Sequence, residues 1–293
     1  MGQMLNIKRL YLLLGKQWFE NRKAYVLFFA AVIALLWGWF LFFLMAGSPY
    51  LFDQGNQASI YFAGLFIAGF LSSSFLFADF SSKSKKINYH MLPAAALEKL
   101  FCALFYGVLI FFIVYTALFY IADVVAVHMS NNATGAMVSD NSTKGMAWRQ
   151  QYNIGGQWNP AKVANVFSPS ADMYIFYPGD NADLFTAFFP IQSTFILGAV
   201  YFKKNSFFKT AIVLLAVMML FFILQAKILF TLLPDTAHTY RLGTLAMMAD
   251  KNGDEKIYTL PYWVGSVMEF LLKFGLTPAL WVATYYRLKE TEL

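Results

Sequence analysis

Charged side chains inside the long apolar segments of this sequence are the first candidates for chemistry. Lys227, Glu269 and Lys273 each lie within a run of otherwise apolar residues. A charge in a hydrocarbon layer costs roughly 2.5–3.5 kcal/mol unless it is paired, so we expect these three to pair with one another away from lipid. Glu269 precedes Lys273 by four residues, the favourable order for an ion pair on one helix. The pattern fits a polar lining of a translocation path or outer gate. It fits equally well a structural ion pair, or a fifth span that ends early with Lys227 in a re-entrant turn.

The other reactive residues do not form a recognisable catalytic or metal-binding set. The chain has one cysteine, Cys102, and three histidines that lie in separate segments. A thiolate cluster therefore cannot form, and we predict no multi-histidine metal site. No G-x-x-x-x-G-K-S/T phosphate-binding loop occurs, because Gly15-Lys16 is followed by Gln17 and lacks the upstream glycine. We expect neither a cofactor nor enzymatic ATP hydrolysis in this chain.

The composition predicts an integral membrane protein. Of the 293 residues, 59% are hydrophobic and only 13% are charged, whereas about a quarter of the residues of a soluble domain are charged. A water-soluble fold with so few charges would expose large apolar patches. The 32 Phe, 17 Tyr and 7 Trp residues exclude a disordered chain. The net charge of +6 is then a topological signal, and we expect no nucleic-acid partner.

Six apolar segments are long enough to cross a membrane. A helical span needs about 20 mostly apolar residues, and apolar runs without alternation favour helices over the strands of a barrel. The predicted spans are Tyr25–Ala46, Ala58–Ala78, Phe101–Ala122, Leu184–Phe202, a segment within Phe207–Leu233, and Tyr262–Tyr286. The predicted fold class is therefore an all-α integral membrane protein with six transmembrane helices.

The distribution of basic residues predicts the orientation of these spans. With the N-terminus inside, 14 of the 22 Lys and Arg residues fall in inner segments, and the short outer loop 47–57 has none. Cytoplasmic loops are the ones enriched in Lys and Arg, so we expect both termini to be cytoplasmic.

Residues 1–24 predict an amphipathic helix before the first span. Ile7, Tyr11 and Trp18 fall on one helical face, and Lys16 falls on the opposite face. Such a helix would lie in the inner membrane interface, with its cations toward anionic lipid headgroups. The same pattern also fits an ordinary helix packed against a partner protein.

Two long outer segments separate the later spans. Residues 128–183 are too long for a plain turn, so we expect a sizeable extracytoplasmic loop with a small folded cap or a partly ordered lid. The second outer segment comprises residues 234–260. Its Asn252-Gly253 pair favours a hairpin between Leu242–Ala249 and Lys256–Leu260. The predicted organisation begins with an interfacial helix at 1–24 and three spans within 25–127. A loop at 128–183 and three further spans within 184–293 follow.

The inner segment between the second and third predicted spans carries one short motif. It reads Leu92-Pro93-Ala94-Ala95-Ala96-Leu97-Glu98-Lys99. Proline suits the first turn of a helix, and the alanines and leucine that follow favour helix. We therefore expect a short helix at about 92–100 that lies across the inner surface before the chain turns into the third span.

This motif resembles the L-P-x-S-x-x-E-K signature of ABC transporter permeases of the type-2, exporter-like class. It is especially similar to the form common in permeases of Bacteroidetes-type bacteria, although Ala95 stands where the family usually has Ser. The N-terminal amphipathic helix, the six spans and the place of the motif agree with that family. The resemblance implies a coupling helix, docked on an ATP-binding cassette subunit, that is formed by Leu92, Pro93, Leu97, Glu98 and Lys99.

The resemblance implies the permease subunit of an ATP-driven exporter in the bacterial cytoplasmic (inner) membrane. In that family, ATP and Mg²⁺ bind a separate subunit, and the path runs between two permeases, either two copies or two homologues. The alternative is a non-transporting membrane scaffold or assembly factor that binds a partner through residues 128–183. A membrane enzyme has the least support, because no histidine or serine lies beside an evident partner base.

Overall fold

Helices make up most of the part of the chain that the structure describes. The computed structural model describes residues 6–48, 50–76, 94–154, 158–167, 181–202, 205–232, 237–238, 247–249, 255–257, 263, 267 and 270–292. The α-helices are α1 (Ile7–Ala46), α2 (Gln54–Phe75), α3 (Ala96–Leu104), α4 (Phe111–Ser139), α5 (Thr143–Gln151), α6 (Asn181–Tyr201), α7 (Ser206–Leu232) and α8 (Leu276–Glu292). Two π-helical segments are π1 (Phe105–Ile110) and π2 (Leu271–Gly275).

Five helical runs among the described residues are long and apolar enough to cross a membrane. They are Ile7–Ala46, Gln54–Phe75, Ala96–Ser139, Asp183–Tyr201 and Ser206–Leu224. These runs correspond to the first five predicted spans, so the chain is an α-helical membrane protein. The sixth predicted span, Tyr262–Tyr286, lies partly outside the described residues and stays a prediction.

Helix α1 joins two predicted elements into one. The predicted interfacial helix and the first span form a single helix of 40 residues, which is about 60 Å long at 1.5 Å per residue. That length is about twice the ~30 Å thickness of a hydrocarbon core. The sequence around residue 24 contains no proline or glycine, so nothing ends the helix before the span begins. Its N-cap is Asn6, whose side chain accepts the N–H of Lys8 at 3.0 Å.

A separate short helix was predicted at 92–100. For residues 94–100, the part of it that the structure describes, this prediction is wrong. Helices α3, π1 and α4 follow one another without a break from Ala96 to Ser139, over 44 residues. No proline lies in this run, and the only departure from α geometry is the wider π1 turn. Helix α4 also continues into the predicted loop 128–183.

The chain divides into two compact units. Unit 1 comprises residues 1–76 and 91–188, and unit 2 comprises residues 77–90 and 189–293. Each contains described helices that pack on their own neighbours.

Unit 1 has an aromatic core around Tyr61 of α2. The Tyr61 ring lies 5.0 Å from the ring of Phe119 and 5.5 Å from that of Tyr115, both on α4. The hydroxyl of Tyr61 hydrogen-bonds that of Thr116 at 2.9 Å, and the Tyr115 hydroxyl donates to the Tyr61 carbonyl at 2.8 Å. These contacts fix α4 against α2 at the level of Gly64, where a Cβ would collide with the Tyr115 hydroxyl.

Unit 2 packs α6 against α7 through a glycine. A Cβ at Gly198 would overlap the side chain of Thr210, so the two helices approach more closely than larger residues permit. At the end of α6, the guanidinium of Arg287 stacks over the Tyr201 ring at 4.5 Å. The same guanidinium pairs with Glu290 at 2.8 Å.

A small antiparallel sheet belongs to unit 2. Its strands β1 (Ala237–His238), β2 (Met247–Ala249) and β3 (Glu255–Ile257) lie in the order β1-β2-β3. In β2 and β3, Met248 lies opposite Lys256. The predicted hairpin is confirmed in its pairing, with strands shorter than the sequence indicated.

Candidate functional site

The coupling motif is partly described, and its charged residues lie inside unit 1. Leu92 and Pro93 lie outside the described residues, and Leu97 is half-buried. The side chains of Glu98 and Lys99 are buried, with 0% and 2% of their residue surface exposed. The resemblance implied that both belong to a surface that docks on a partner. The structure instead places them where a partner subunit has no direct access.

Glu98 holds the starts of two helices together. Its Oε2 accepts the N–H of Ala95 at 2.9 Å, and its Oε1 accepts the N–H of Asn6 at 2.8 Å. The guanidinium of Arg9 lies 3.5 Å from Oε1. One buried carboxylate therefore binds two backbone donors and one cation from α3 and α1.

The position of Glu98 explains why it takes this role. The first N–H groups of a helix have no partner within the helix, and Glu98 is the third residue of α3, from which a carboxylate reaches back to the N-cap N–H. Ala95 has no side-chain oxygen to cap α3. The positive ends of the α1 and α3 dipoles both favour a negative charge at this point.

Aromatic contacts continue the attachment of α1 along π1. The hydroxyl of Tyr106 donates to the carbonyl of Leu14 at 2.9 Å, and its ring stacks on that of Tyr25 at 5.6 Å. Tyr25 in turn stacks on Trp18 and accepts the Gln17 amide at 3.2 Å. The first half of α1 is thus fixed to α3 and π1 from Asn6 to Tyr25, over about five turns.

Near Glu98, the accessible faces of α1 and α3 carry apolar and basic side chains. On α3, Phe101 is 47% exposed one turn after the half-buried Leu97. On α1, the exposed large apolar side chains of the first half are Ile7, Tyr11, Leu12, Trp18 and Phe19. These faces can contact lipid or a second protein.

At the opposite end of unit 1, residues 140–154 form a small cap. The N–H and hydroxyl of Ser142 both bond the carboxylate of Asp140 at 2.8 Å, and these bonds lower the pKa of Asp140. The indole N–H of Trp148 bonds the Gly47 carbonyl at 3.3 Å, and the Tyr50 hydroxyl bonds the Tyr152 carbonyl at 2.9 Å. Residues 140–154 are therefore an ordered, partly helical segment within the predicted loop 128–183.

A second segment of the predicted loop, residues 161–167, lies along α4 and is called the strap here. The side chain of Asn131 bonds both the N–H and the carbonyl of Ala161 at 2.9 Å. The side chain of Gln57 bonds the carbonyl of Lys162 at 3.0 Å and the N–H of Ala164 at 2.8 Å. The strap is thus held through its backbone by side-chain amides.

Asp123 is a buried carboxylate on the same face of α4. Its residue surface is 0% exposed, and neither carboxylate oxygen has a hydrogen-bond partner among the described residues. The carboxylate faces the backbone N–H of Ala164, which is bonded to Gln57 instead. Burial of a charge without a close hydrogen-bond partner is unfavourable, so the charged form of Asp123 is expected to lower the stability of unit 1.

We expect Asp123→Asn to raise the free energy of unfolding by about 1 kcal/mol, because it removes a buried charge and keeps the shape of the side chain. Unfolding in detergent micelles measures the change. The control is Asp53→Asn at the N-cap of α2, where Asn caps as well as Asp and the stability should stay within about 0.5 kcal/mol. A lower stability of Asp123→Asn would show that the carboxylate has a stabilising partner.

The predicted intramembrane charges fall in unit 2 and are only partly described. Lys227 is exposed on α7, and Lys273 is half-buried in π2. Glu269 lies outside the described residues. The predicted grouping of the three therefore stays a prediction.

Sequence reasoning did not find the partners of Glu98 or of the strap. Asn6 and Arg9 lie about ninety residues before Glu98, and no local pattern links them. The one available signal was Asn6 itself, a good N-cap residue at the start of a helical pattern. Gln57 and Asn131 looked like ordinary polar residues near span ends.

Comparisons with known proteins found no relative. No protein-family model matches the chain, and neither a curated protein nor a solved structure is significantly similar to it. The site therefore has to be interpreted from its own geometry.

Proposed function

We propose that this chain is the permease subunit of an ATP-driven exporter of the ABC type, driven by a separate ATP-binding subunit. The observation that carries the proposal is the junction at Glu98, within a motif that resembles the coupling signature. A coupling element has to pass force from a partner into the membrane. A buried carboxylate that joins the starts of α1 and α3 suits that task.

The junction gives a route for such force. Helix α3 continues through π1 into α4, and α1 contains the first predicted span. Because Glu98 and Tyr106 fix α1 to this run, a push on α3 would move the first and third predicted spans together. The π1 segment, where the helix is wider, is a suitable place for the run to adjust.

The docking face is then the exposed side of α3 and not its charged residues. Leu97 and Phe101 lie one turn apart and are accessible, whereas Glu98 and Lys99 are buried. We assign docking to the first pair and positioning to Glu98. Leu92 and Pro93 retain the role that the resemblance implies.

The wider assembly follows from the same proposal. The motif end faces the cytoplasm, as the basic residues predict, and both termini lie there. Helix α7 is apolar and has only 6% of its candidate span buried within the chain, which suits contact with lipid or with a second permease. ATP and Mg²⁺ bind the partner subunit.

The test compares two exposed apolar residues at opposite ends of unit 1. We expect Phe101→Asp, at an exposed position of the same face as Leu97, to lower the yield of a co-purified Walker-A ATPase about tenfold or more, because a charge in an apolar contact costs more than ~1.4 kcal/mol. Met146→Asp in the cap, also exposed, is the matched control and should leave the yield unchanged. Affinity purification from the native host in mild detergent, with quantitative mass spectrometry, measures both.

The same experiment addresses the second candidate function, a membrane scaffold that binds a partner through 128–183. The folded cap favours it, because exposed apolar residues such as Met146 lie on an ordered surface. A scaffold would capture no ATPase at all, and Met146→Asp would then reduce capture of its partner. Absence of any Walker-A protein from the wild-type preparation contradicts the exporter.

A further inference from the structure

A cavity of about 170 Å³ opens in unit 1 beside the last turns of α1 and the second half of α4. Three aromatic rings line it, those of Phe43, Phe52 and Trp148. The Phe43 and Phe52 rings meet edge to face at 6.3 Å, and the indole N–H of Trp148 is held by the Gly47 carbonyl. A cavity of about 150 Å³ with apolar walls holds one benzene molecule. This cavity therefore has room for a single six-membered ring with a small substituent.

Two hydroxyls of α4 in the cavity wall lack the partner that other helix hydroxyls have. A Ser or Thr hydroxyl within a helix can bond the carbonyl one turn earlier, as Ser59 does on α2 and Ser139 on α4, each at 2.8 Å. Ser130 and Thr134 line the cavity and are 6% and 7% exposed. Neither hydroxyl forms a hydrogen bond with another described residue. Because the two residues are four apart, their hydroxyls lie on one face of α4 and can bond the same ligand.

The lining carries no charged side chain. Besides the three rings and the two hydroxyls of α4, the lining residues are Leu44, Gly47, Ser48, Ala133 and Met137. A charge buried without a partner is unfavourable, so the cavity suits a neutral ligand. The end of α1 that borders the cavity is the negative pole of the helix dipole, which further disfavours a carboxylate or a phosphate.

We propose that this cavity is a binding site for a small neutral aromatic alcohol, of which phenol is the simplest member. The ring lies among Phe43, Phe52 and Trp148, and its hydroxyl bonds Ser130 and Thr134. A hydroxyl suits this pair because it donates one hydrogen bond and accepts others. The inference goes beyond the exporter proposal and does not depend on it, since binding needs neither an ATP-binding subunit nor ATP.

The first experiment compares phenol with toluene, which has the same size and lacks the hydroxyl. The full-length protein in detergent carries 5-fluorotryptophan, and fluorine NMR follows the signal of Trp148, which Trp148→Phe identifies. Trp18, at the other end of unit 1 and 43% exposed, reports unspecific partitioning into the micelle. We expect phenol to shift the Trp148 signal to saturation and to bind about fivefold or more tightly than toluene, which leaves both hydroxyls unpaired. A Trp148 signal that moves no more than that of Trp18 overturns the proposal.

The hydroxyls are tested by a substitution that keeps the shape of the cavity. Ser130→Ala/Thr134→Val should weaken phenol binding about fivefold or more, the effect of the lost hydrogen bonds, and leave toluene binding within about twofold. Ser139→Ala is the matched control on the same helix, outside the lining, and should change neither affinity. A double variant that binds phenol as tightly as the unmodified chain refutes recognition by these hydroxyls.

The location of the ligand is tested by filling the cavity. Ala133 lines the cavity and is exposed, so Ala133→Phe adds a ring at its edge without a change in the core. Ala136→Phe, also exposed on α4 and outside the lining, is the matched control. We expect the first variant to bind phenol about tenfold or more weakly, because its own ring takes the space, and the control to bind it unchanged. Equal affinity of the two variants places phenol elsewhere and contradicts the proposed site.

Discussion

Replacement of Glu98 by alanine should lower the free energy of unfolding by about 2–4 kcal/mol, because this buried carboxylate accepts two backbone hydrogen bonds and pairs with Arg9, whose side chain is 34% exposed. The change leaves the N–H groups of Asn6 and Ala95 without their acceptor and the guanidinium of Arg9 without its carboxylate. Each buried group that loses a hydrogen bond adds to the loss. We expect this variant to show the largest destabilisation of any charged residue in unit 1.

The effect should also be local. Because Glu98 holds the start of α1, its loss should speed amide hydrogen exchange in the first turns of α1 more than in α2. Glu98→Gln retains an acceptor for one N–H but removes the charge, and we expect an intermediate loss. Unfolding in a denaturing detergent series and hydrogen exchange by mass spectrometry measure the two effects.

The matched control is an exposed acidic residue on α1 itself. Glu20 lies 3.6 Å from Lys16 in a pair that is open to solvent, so Glu20→Ala should cost no more than about 0.5 kcal/mol. If Glu98→Ala and Glu20→Ala lower stability equally, Glu98 does not hold the two helices. Retained stability together with lost ATPase capture would instead mean that Glu98 contacts the partner directly.

The positions of the main elements could be predicted from the sequence, because they depend on local composition. Long apolar runs gave the first five spans, and Asn252-Gly253 between two short polar-apolar segments gave the hairpin that pairs Met248 with Lys256. The motif also led to Glu98 as a residue of interest. In each case a few neighbouring residues carry the signal.

The roles of the same residues could not be predicted, because they depend on distant partners. Whether Glu98 faces a partner subunit or the interior is decided by Asn6 and Arg9, which only the folded chain brings near. The strap depends on an even more distant partner, since Gln57 bonds a segment 105 residues further along the chain. No periodic pattern marks a segment that is held by side chains instead of by a sheet.

The continuity of the helices was missed for a related reason. In the sequence, the polar residues Glu98 and Lys99 interrupt the apolar run before the third predicted span. Asn131 and Asn132 interrupt it after that span, in the predicted loop. Intrinsic helix propensity is weak and tertiary contacts override it. Both polar stretches remain helical in the structure, where Glu98 is bonded to the start of α1 and Asn131 to Ala161.

The second large effect is expected at Gly64 in the core of unit 1. A Cβ at this position would collide with the hydroxyl of Tyr115, and the next atoms are the Tyr115 Cζ at 3.4 Å and a Leu36 methyl at 3.5 Å. The hydroxyl alone is therefore in the way. Gly64→Ala should lower the free energy of unfolding by about 2–4 kcal/mol, from overpacking and from the lost bond to the Tyr61 carbonyl.

The same geometry predicts rescue by a second substitution. Tyr115→Phe removes the colliding oxygen and should by itself cost about 1 kcal/mol, the value of one hydrogen bond. In Gly64→Ala/Tyr115→Phe the new methyl meets no atom closer than ordinary contact, so the double variant should be about as stable as Tyr115→Phe alone. The coupling energy between the two sites would then equal the whole loss of Gly64→Ala, about 2–4 kcal/mol in favour of the double variant.

Gly38 supplies the control for the glycine change. It lies in α1, and a Cβ there would meet nothing within 4 Å, so Gly38→Ala should be neutral or stabilising by up to about 1 kcal/mol. A double variant whose losses simply add would mean that Gly64 is required for a reason other than the Tyr115 hydroxyl. Rescue would instead show that a single oxygen sets the approach of α4 to α2, and with it the alignment of the α4 face on which the strap lies.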